Sequence, residues 1–119
     1  MYTISKEFHF SAAHRLHGLA DDHPCGRQHG HNYIVIIELS SYDLDDTGFV
    51  EDYGRLKDIK NWIDITLDHQ DLNLVTPLKQ TSAENLARYI YESFSIKHPH
   101  MSAVTVKETP KTRATYRDE

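Results

Sequence analysis

Cys25-Gly26-Arg27-Gln28-His29-Gly30-His31-Asn32-Tyr33-Ile34-Val35-Ile36-Ile37-Glu38-Leu39 is the stretch from which the fold is read. Its second half is rich in β-branched and aromatic residues, so a strand is predicted over about 28–41. Side chains two apart on a strand share a face. His29 and His31 therefore stand side by side, in line with Tyr33, Val35, Ile37 and Leu39. Two imidazoles on one rigid face begin a zinc site, which takes three or four N, O or S ligands at about 2.0–2.3 Å. Gly30 leaves the opposite face bare, open to another chain or a ligand. Cys25, the only cysteine, lies four residues ahead of His29.

On the N-terminal side, Tyr2, Ile4, Phe8 and Phe10 share one parity and predict a strand over 2–10, with Lys6 as the exception. The small residues of Ser11–Leu16 break the alternation, and Gly18, Pro24 and Gly26 make 17–27 a loop. On the C-terminal side, Asp43–Gly48 reads as a turn and Phe49–Tyr53 as a short returning strand, forming a hairpin with 28–41. Leu56, Ile59, Trp62, Ile63 and Leu67 recur at helical spacing and predict a helix from Gly54 to Leu67. Leu67–Asn73 leaves that helix, and Pro77 marks a loop. Thr81-Ser82-Ala83-Glu84 has the form of a capping box, opening a helix from Ser82 to Lys97 with Leu86, Ile90 and Phe94 on one face. Strands follow over Met101–Thr109 and Thr112–Arg117. The order β, β, β, α, α, β, β with two amphipathic helices predicts an α+β domain. Its antiparallel sheet carries both helices on one face, and one domain spans 1–119.

The chain has 119 residues, 39% hydrophobic and 26% charged, which suits a single core. No apolar run approaches the roughly 20 residues of a membrane span, and the N-terminus lacks the layout of a signal peptide. A single cysteine excludes an internal disulfide framework and fits a reducing, cytoplasmic setting. The net charge of −5 argues against a nucleic-acid-binding surface. Nine histidines are many for this length, and six precede residue 32, so the metal is expected there.

A third ligand must come from His9, His14, His17 or His23, among which spacing does not choose; Ala12 and Ala13 leave room beside His14. Cys25 has three readings: a fourth ligand closing a structural site, a thiolate beside the metal acting as base, or an inert buried thiol. Asp68-His69 is either a turn with a helix-terminal cation or a carboxylate-oriented acid/base pair. Glu108 shares parity with Val104 and Val106. A carboxylate in an apolar row needs a partner, either a heterocycle with adjacent N–H donors or an arginine. Arg15, Arg27 and Lys111 are candidate phosphate contacts or solvated surface residues.

Five stretches taken together resemble the 6-pyruvoyl-tetrahydropterin synthase family. They are Phe10–Leu16, Cys25–Asn32, Leu67-Asp68-His69 with Leu72-Asn73, Thr81–Leu86, and Lys107–Pro110 with Ala114 and Tyr116. They span nearly the whole chain in family order. Three residues separate Cys25 from His29; the animal-type pyruvoyl synthase has a longer gap, and the shorter one resembles the bacterial 6-carboxy-5,6,7,8-tetrahydropterin synthase of queuosine biosynthesis. The resemblance implies a lyase that turns 7,8-dihydroneopterin triphosphate into the carboxy-tetrahydropterin, acetaldehyde and triphosphate. It implies Zn2+ on His14, His29 and His31, Cys25 as base with Asp68 and His69 as the partner pair, and Glu108 holding the pterin. It further implies a tunnel-type fold whose sheets join edge to edge into a barrel. The expected assembly is a homo-oligomer, a hexamer built as a dimer of trimers, with active sites at subunit interfaces. Thr112-Arg113 departs from the smaller, serine-containing sequence expected there. Two rivals stand beside this reading: a synthase that stops at the pyruvoyl product, and a non-enzymatic module whose zinc is closed by Cys25.

Overall fold

The computed structural model describes residues 1–119. Two long strands, β1 (Tyr2–His14) and β2 (His29–Ser41), pair antiparallel over their whole length, from Tyr2↔Ser41 to His14↔His29. On the other side of β2 lies β4 (Met101–Thr109), followed by β5 (Thr112–Tyr116), both antiparallel. A two-residue strand, β3 (Gln70–Asp71), adds in parallel to Ala12 and Ala13, giving the order β3-β1-β2-β4-β5. The sheet is thus antiparallel except at that one edge.

The alternation read from the sequence sets the core face. Phe8, Phe10 and Ala12 of β1, Tyr33, Val35, Ile37 and Leu39 of β2, and Val104 and Val106 of β4 are buried together. Against them packs a helical segment made of a 3-10 turn (Tyr53–Leu56), α1 (Lys57–Trp62) and a π turn (Ile63–Leu67). Its Leu56, Ile59, Ile63 and Leu67 are almost fully buried. The second long helix, α3 (Ala83–Phe94), buries Leu86, Ala87, Ile90 and Phe94 in the same core. A single-turn helix, α2 (Leu72–Val75), capped by the Asp71 side chain, lies between them.

Four local readings are corrected. Phe49–Tyr53 does not return as a strand. Asp45 Oδ1 accepts from the backbone of Thr47 and Phe49 at 2.9 Å each, Gly48 adopts φ 86°, and both edges of β2 are already taken by β1 and β4. Ser11–His14 does not break β1, because its small residues pair straight through to His29–Asn32 and also receive β3. The helix cap is Ser82, whose hydroxyl accepts from Asn85 N at 3.2 Å. Thr81 is thereby freed for another partner. Finally, α3 ends at Phe94 rather than Lys97, and α2 was not foreseen.

Candidate metal centre

His14, at the end of β1, pairs across the ladder with His29, and His31 follows two residues along β2 on the same face. The three rings lie 4.6, 5.2 and 4.8 Å apart, centroid to centroid. One nitrogen from each lies within 4.8 Å of the others, a set that could hold a metal ion. Of the four histidines that spacing left open for the third position, the structure brings only His14 to His29 and His31.

The outward nitrogens show how well the residues fit a cation. His14 Nδ1 meets the Thr81 carbonyl at 2.8 Å and the Thr81 hydroxyl at 3.1 Å; His29 Nδ1 meets the Arg27 carbonyl at 2.7 Å. A carbonyl only accepts, so both rings carry their proton on Nδ1 and turn an Nε2 lone pair towards the cluster. This is the arrangement by which an outer partner fixes the tautomer of a ligand histidine. Nε2 of His14 and of His31 is buried with no hydrogen-bond partner, a situation that costs about 1–3 kcal/mol per group when nothing fills it. Burial, chiefly through lost hydration, holds both imidazoles below the ordinary histidine range, partly offset at each by Glu108. Neutral imidazole is the form that binds a metal. The buried, unpartnered nitrogens, the fixed tautomers and the neutral state all suit a divalent ion.

A pH dependence follows for metal-free protein. The unfolded chain protonates these histidines near 6.5, while the fold keeps them neutral to lower pH. The unfolded state therefore binds more protons in that interval. Stability is fully present above about pH 6.5 and falls as pH drops from there through the lowered folded values. Denaturant unfolding in chelator at about pH 7.5 and about pH 5 checks this; equal stability at the two would contradict it.

Around the cluster, loop ends are tied by side-chain amides that mimic backbone. Asn73 exchanges two hydrogen bonds with Arg15, and Gln80 two with His17. These clamps fix the chain just beyond His14. Leu16 N donates to the Cys25 carbonyl at 2.8 Å, docking the 3-10 turn Pro24–Gly26 there. Cys25 is a free, half-buried thiol and lies outside the three-histidine cluster.

The π turn leads straight into Asp68 and His69. Asp68 Oδ1 accepts from Ser11 N at 2.9 Å and Oδ2 takes His69 Nδ1 at 2.9 Å. The bond from Ser11, and then that from His69, hold the Asp68 carboxyl below the usual carboxylate range. His69 adopts φ 60°, the one non-glycine residue in the left-handed region. Such strain persists where the surroundings over-determine it; here the His69 N–H to Ser11 carbonyl bond, at 2.6 Å, holds it. His69 and His31 line one cavity of about 550 Å³, which also takes in Gly30, Asn32 and Asp71. Cys25 does not line that cavity. Glu108 lines a different one, of about 280 Å³, between the start of α3 and the β4–β5 hairpin.

Two residues of this neighbourhood were not anticipated. Thr81 is consumed by His14 instead of capping α3. Tyr33 is fully buried, its ring 5.4 Å from His31 and its hydroxyl unpartnered. Burial pushes its phenol well above the ordinary tyrosine range, so it stays an O–H donor. Its parity with His29 and His31 was the available signal.

The 6-pyruvoyl tetrahydropterin synthase family model matches residues 3–119. The 6-carboxy-5,6,7,8-tetrahydropterin synthase of Bacillus subtilis strain 168 is 31% identical, the match covering 98% of this chain and 85% of that one. The enzyme of that name from Haemophilus influenzae is 33% identical, covering 99% and 100%. Among solved structures, the 6-pyruvoyl tetrahydropterin synthase of Caenorhabditis elegans superposes with a TM-score of 0.87 at 32% identity, covering 99% of this chain and 96% of that one. No helix is long and apolar enough to cross a membrane.

Proposed function

Because this chain belongs to the 6-pyruvoyl tetrahydropterin synthase family and is an enzyme of that kind, we propose that it is a zinc-dependent 6-carboxy-5,6,7,8-tetrahydropterin synthase. The reaction takes 7,8-dihydroneopterin triphosphate and water to the carboxy-tetrahydropterin, acetaldehyde and triphosphate, on the route to queuosine. The carrying observation is the set of three clustered imidazoles, two of them oriented by backbone carbonyls and two with buried, unpartnered Nε2 atoms, while the one free thiol is not part of the set. That arrangement argues against a site closed by sulfur, which would leave no position for substrate.

His14, His29 and His31 would hold the ion. A bound zinc supplies Lewis acidity, which favours ionised hydroxyls and steadies negative charge on the substrate side chain. Cys25 takes a proton from that side chain as thiolate. Asp68 holds His69 with the proton on Nδ1, which frees Nε2 to give or take a proton on the opposite side. Glu108 accepts from the adjacent N–H groups of the pterin ring.

The active site of this reading is shared between subunits, with Asp68 and His69 reaching Cys25 from a neighbour. Two open sheet edges support it. β1 is paired by β3 only at Ala12 and Ala13 and tied to Asp68 and His69 at Ser11, so the outer edge of Tyr2–Phe10 is free, and β5 ends the sheet on the other side. A hexamer of two trimers closes both edges.

Zinc-loaded protein incubated with 7,8-dihydroneopterin triphosphate is expected to release acetaldehyde and the carboxy product, identified by mass. The pyruvoyl product without acetaldehyde would instead assign the reaction named for the C. elegans relative. No turnover of this substrate, with zinc bound, would overturn the proposal.

A further inference from the structure

The β4–β5 hairpin carries an irregularity beside Glu108. Val106 pairs with Ala114 and Thr109 with Thr112, so Lys107 and Glu108 together face the single residue Arg113. A bulge of this kind re-aims side chains and is enriched next to active sites. Glu108 and Arg113 both line one cavity of about 280 Å³, which also takes in Glu84 from the first turn of α3 and Thr112. Despite sharing that cavity, Glu108 and Arg113 form no ion pair with each other or with any other residue. The volume lies just under the usual range for ligand pockets, room for a flat ring rather than a whole phosphorylated substrate. Ala83, which also lines this cavity, lies two residues from Thr81, the partner of His14 Nδ1, and the charge of Glu108 acts on His14, His31 and Tyr33.

The ring that Glu108 would bind has a defined edge. A 2-amino-4-oxo pyrimidine offers two adjacent N–H donors, and next to them a carbonyl that only accepts. One carboxylate takes both donors and leaves the carbonyl without a partner. An arginine presents five donors and no acceptor. Resting on the pterin reading above, we infer that Arg113 is the specificity-determining residue that donates to the ring 4-oxo group while Glu108 accepts from the neighbouring N–H pair. Arg113 then selects an oxo ring over a 4-amino ring, whose amine would point donors at the guanidinium.

The test uses two fluorescent probes with the same side chain, neopterin and its 2,4-diamino counterpart, titrated into zinc-loaded wild type, Arg113→Ala and Arg113→Lys. Wild type is expected to prefer neopterin by about 10- to 100-fold, the range spanned by one charge-assisted hydrogen bond. Arg113→Ala reduces that preference by binding neopterin more weakly, with binding of the diamino probe and zinc content unchanged, and keeps only the part owed to the ring N–H that Glu108 lacks in the diamino probe; Arg113→Lys falls between. A preference undiminished in Arg113→Ala overturns the inference while leaving the pterin reading in place. Equal loss of both probes assigns Arg113 a merely structural role and overturns it too. Failure of wild type to bind either probe sinks the pterin reading, and the inference falls with it.

Discussion

Replacing Cys25 by alanine is expected to leave about one zinc per chain and to lower turnover by about 10²- to 10⁴-fold, the usual worth of a positioned acid/base group. The first half rests on geometry. The ligand nitrogens of His14, His29 and His31 gather without the sulfur, and the orientation of His14 and His29 comes from the carbonyls of Thr81 and Arg27, neither of which depends on the Cys25 side chain. The 3-10 turn is held by backbone bonds, Leu16 N to Cys25 carbonyl and Cys25 N to His23 Nδ1, which alanine keeps. The loop should therefore stay in place and only the thiol be lost. Metal analysis and a single-turnover assay on the same sample separate the outcomes. Zinc lost together with activity would make Cys25 a ligand and the site a closed one. Zinc kept with full activity would make the thiol inert and move the base elsewhere.

Much of this molecule was legible because the controlling signal is periodic and local. The parity of Tyr33, Val35, Ile37 and Leu39 fixed which face of β2 is buried, and so placed His29 and His31 on that face. The stripe Leu56–Leu67 survived even though its last turn is wound as a π turn, because an apolar stripe records burial and not hydrogen-bond pitch. The readings that failed depended on competition between partners. Phe49–Tyr53 has strand-like residues, but the neighbours it needed were already engaged. Thr81 and Ser82 are both good caps, and which one caps α3 is decided by His14, which is 67 residues away in the chain and claims Thr81. The choice of His14 over His9, His17 and His23 has the same origin. It required knowing that β1 runs on to residue 14 and ends opposite His29. Asp68 and His69 were visible as a pair, but the left-handed backbone of His69 and its tie to Ser11 belong to the tertiary structure.

His29→Ala is expected to weaken metal binding by more than about 100-fold, beyond the 10- to 100-fold seen when only an outer partner is lost, and to abolish turnover. Its value lies in what it does to stability. A metal that binds only the folded state adds about 4 kcal/mol when present at 1,000 times its Kd. Wild type should gain that much between chelator and excess zinc, and the variant almost nothing. In chelator the two should unfold alike. His29 is only half-buried, and the carbonyl it releases belongs to Arg27 in an exposed segment where water can replace it, so the substitution falls within the small range of surface changes. His14 would give a less readable result, because its removal also strands the buried Thr81 carbonyl and hydroxyl. Paired denaturant titrations of wild type and His29→Ala, each with chelator and with zinc, check the point. A zinc-dependent gain that persists undiminished in His29→Ala would mean that the ion sits elsewhere. A large loss in chelator would mean that His29 serves the fold and not the metal.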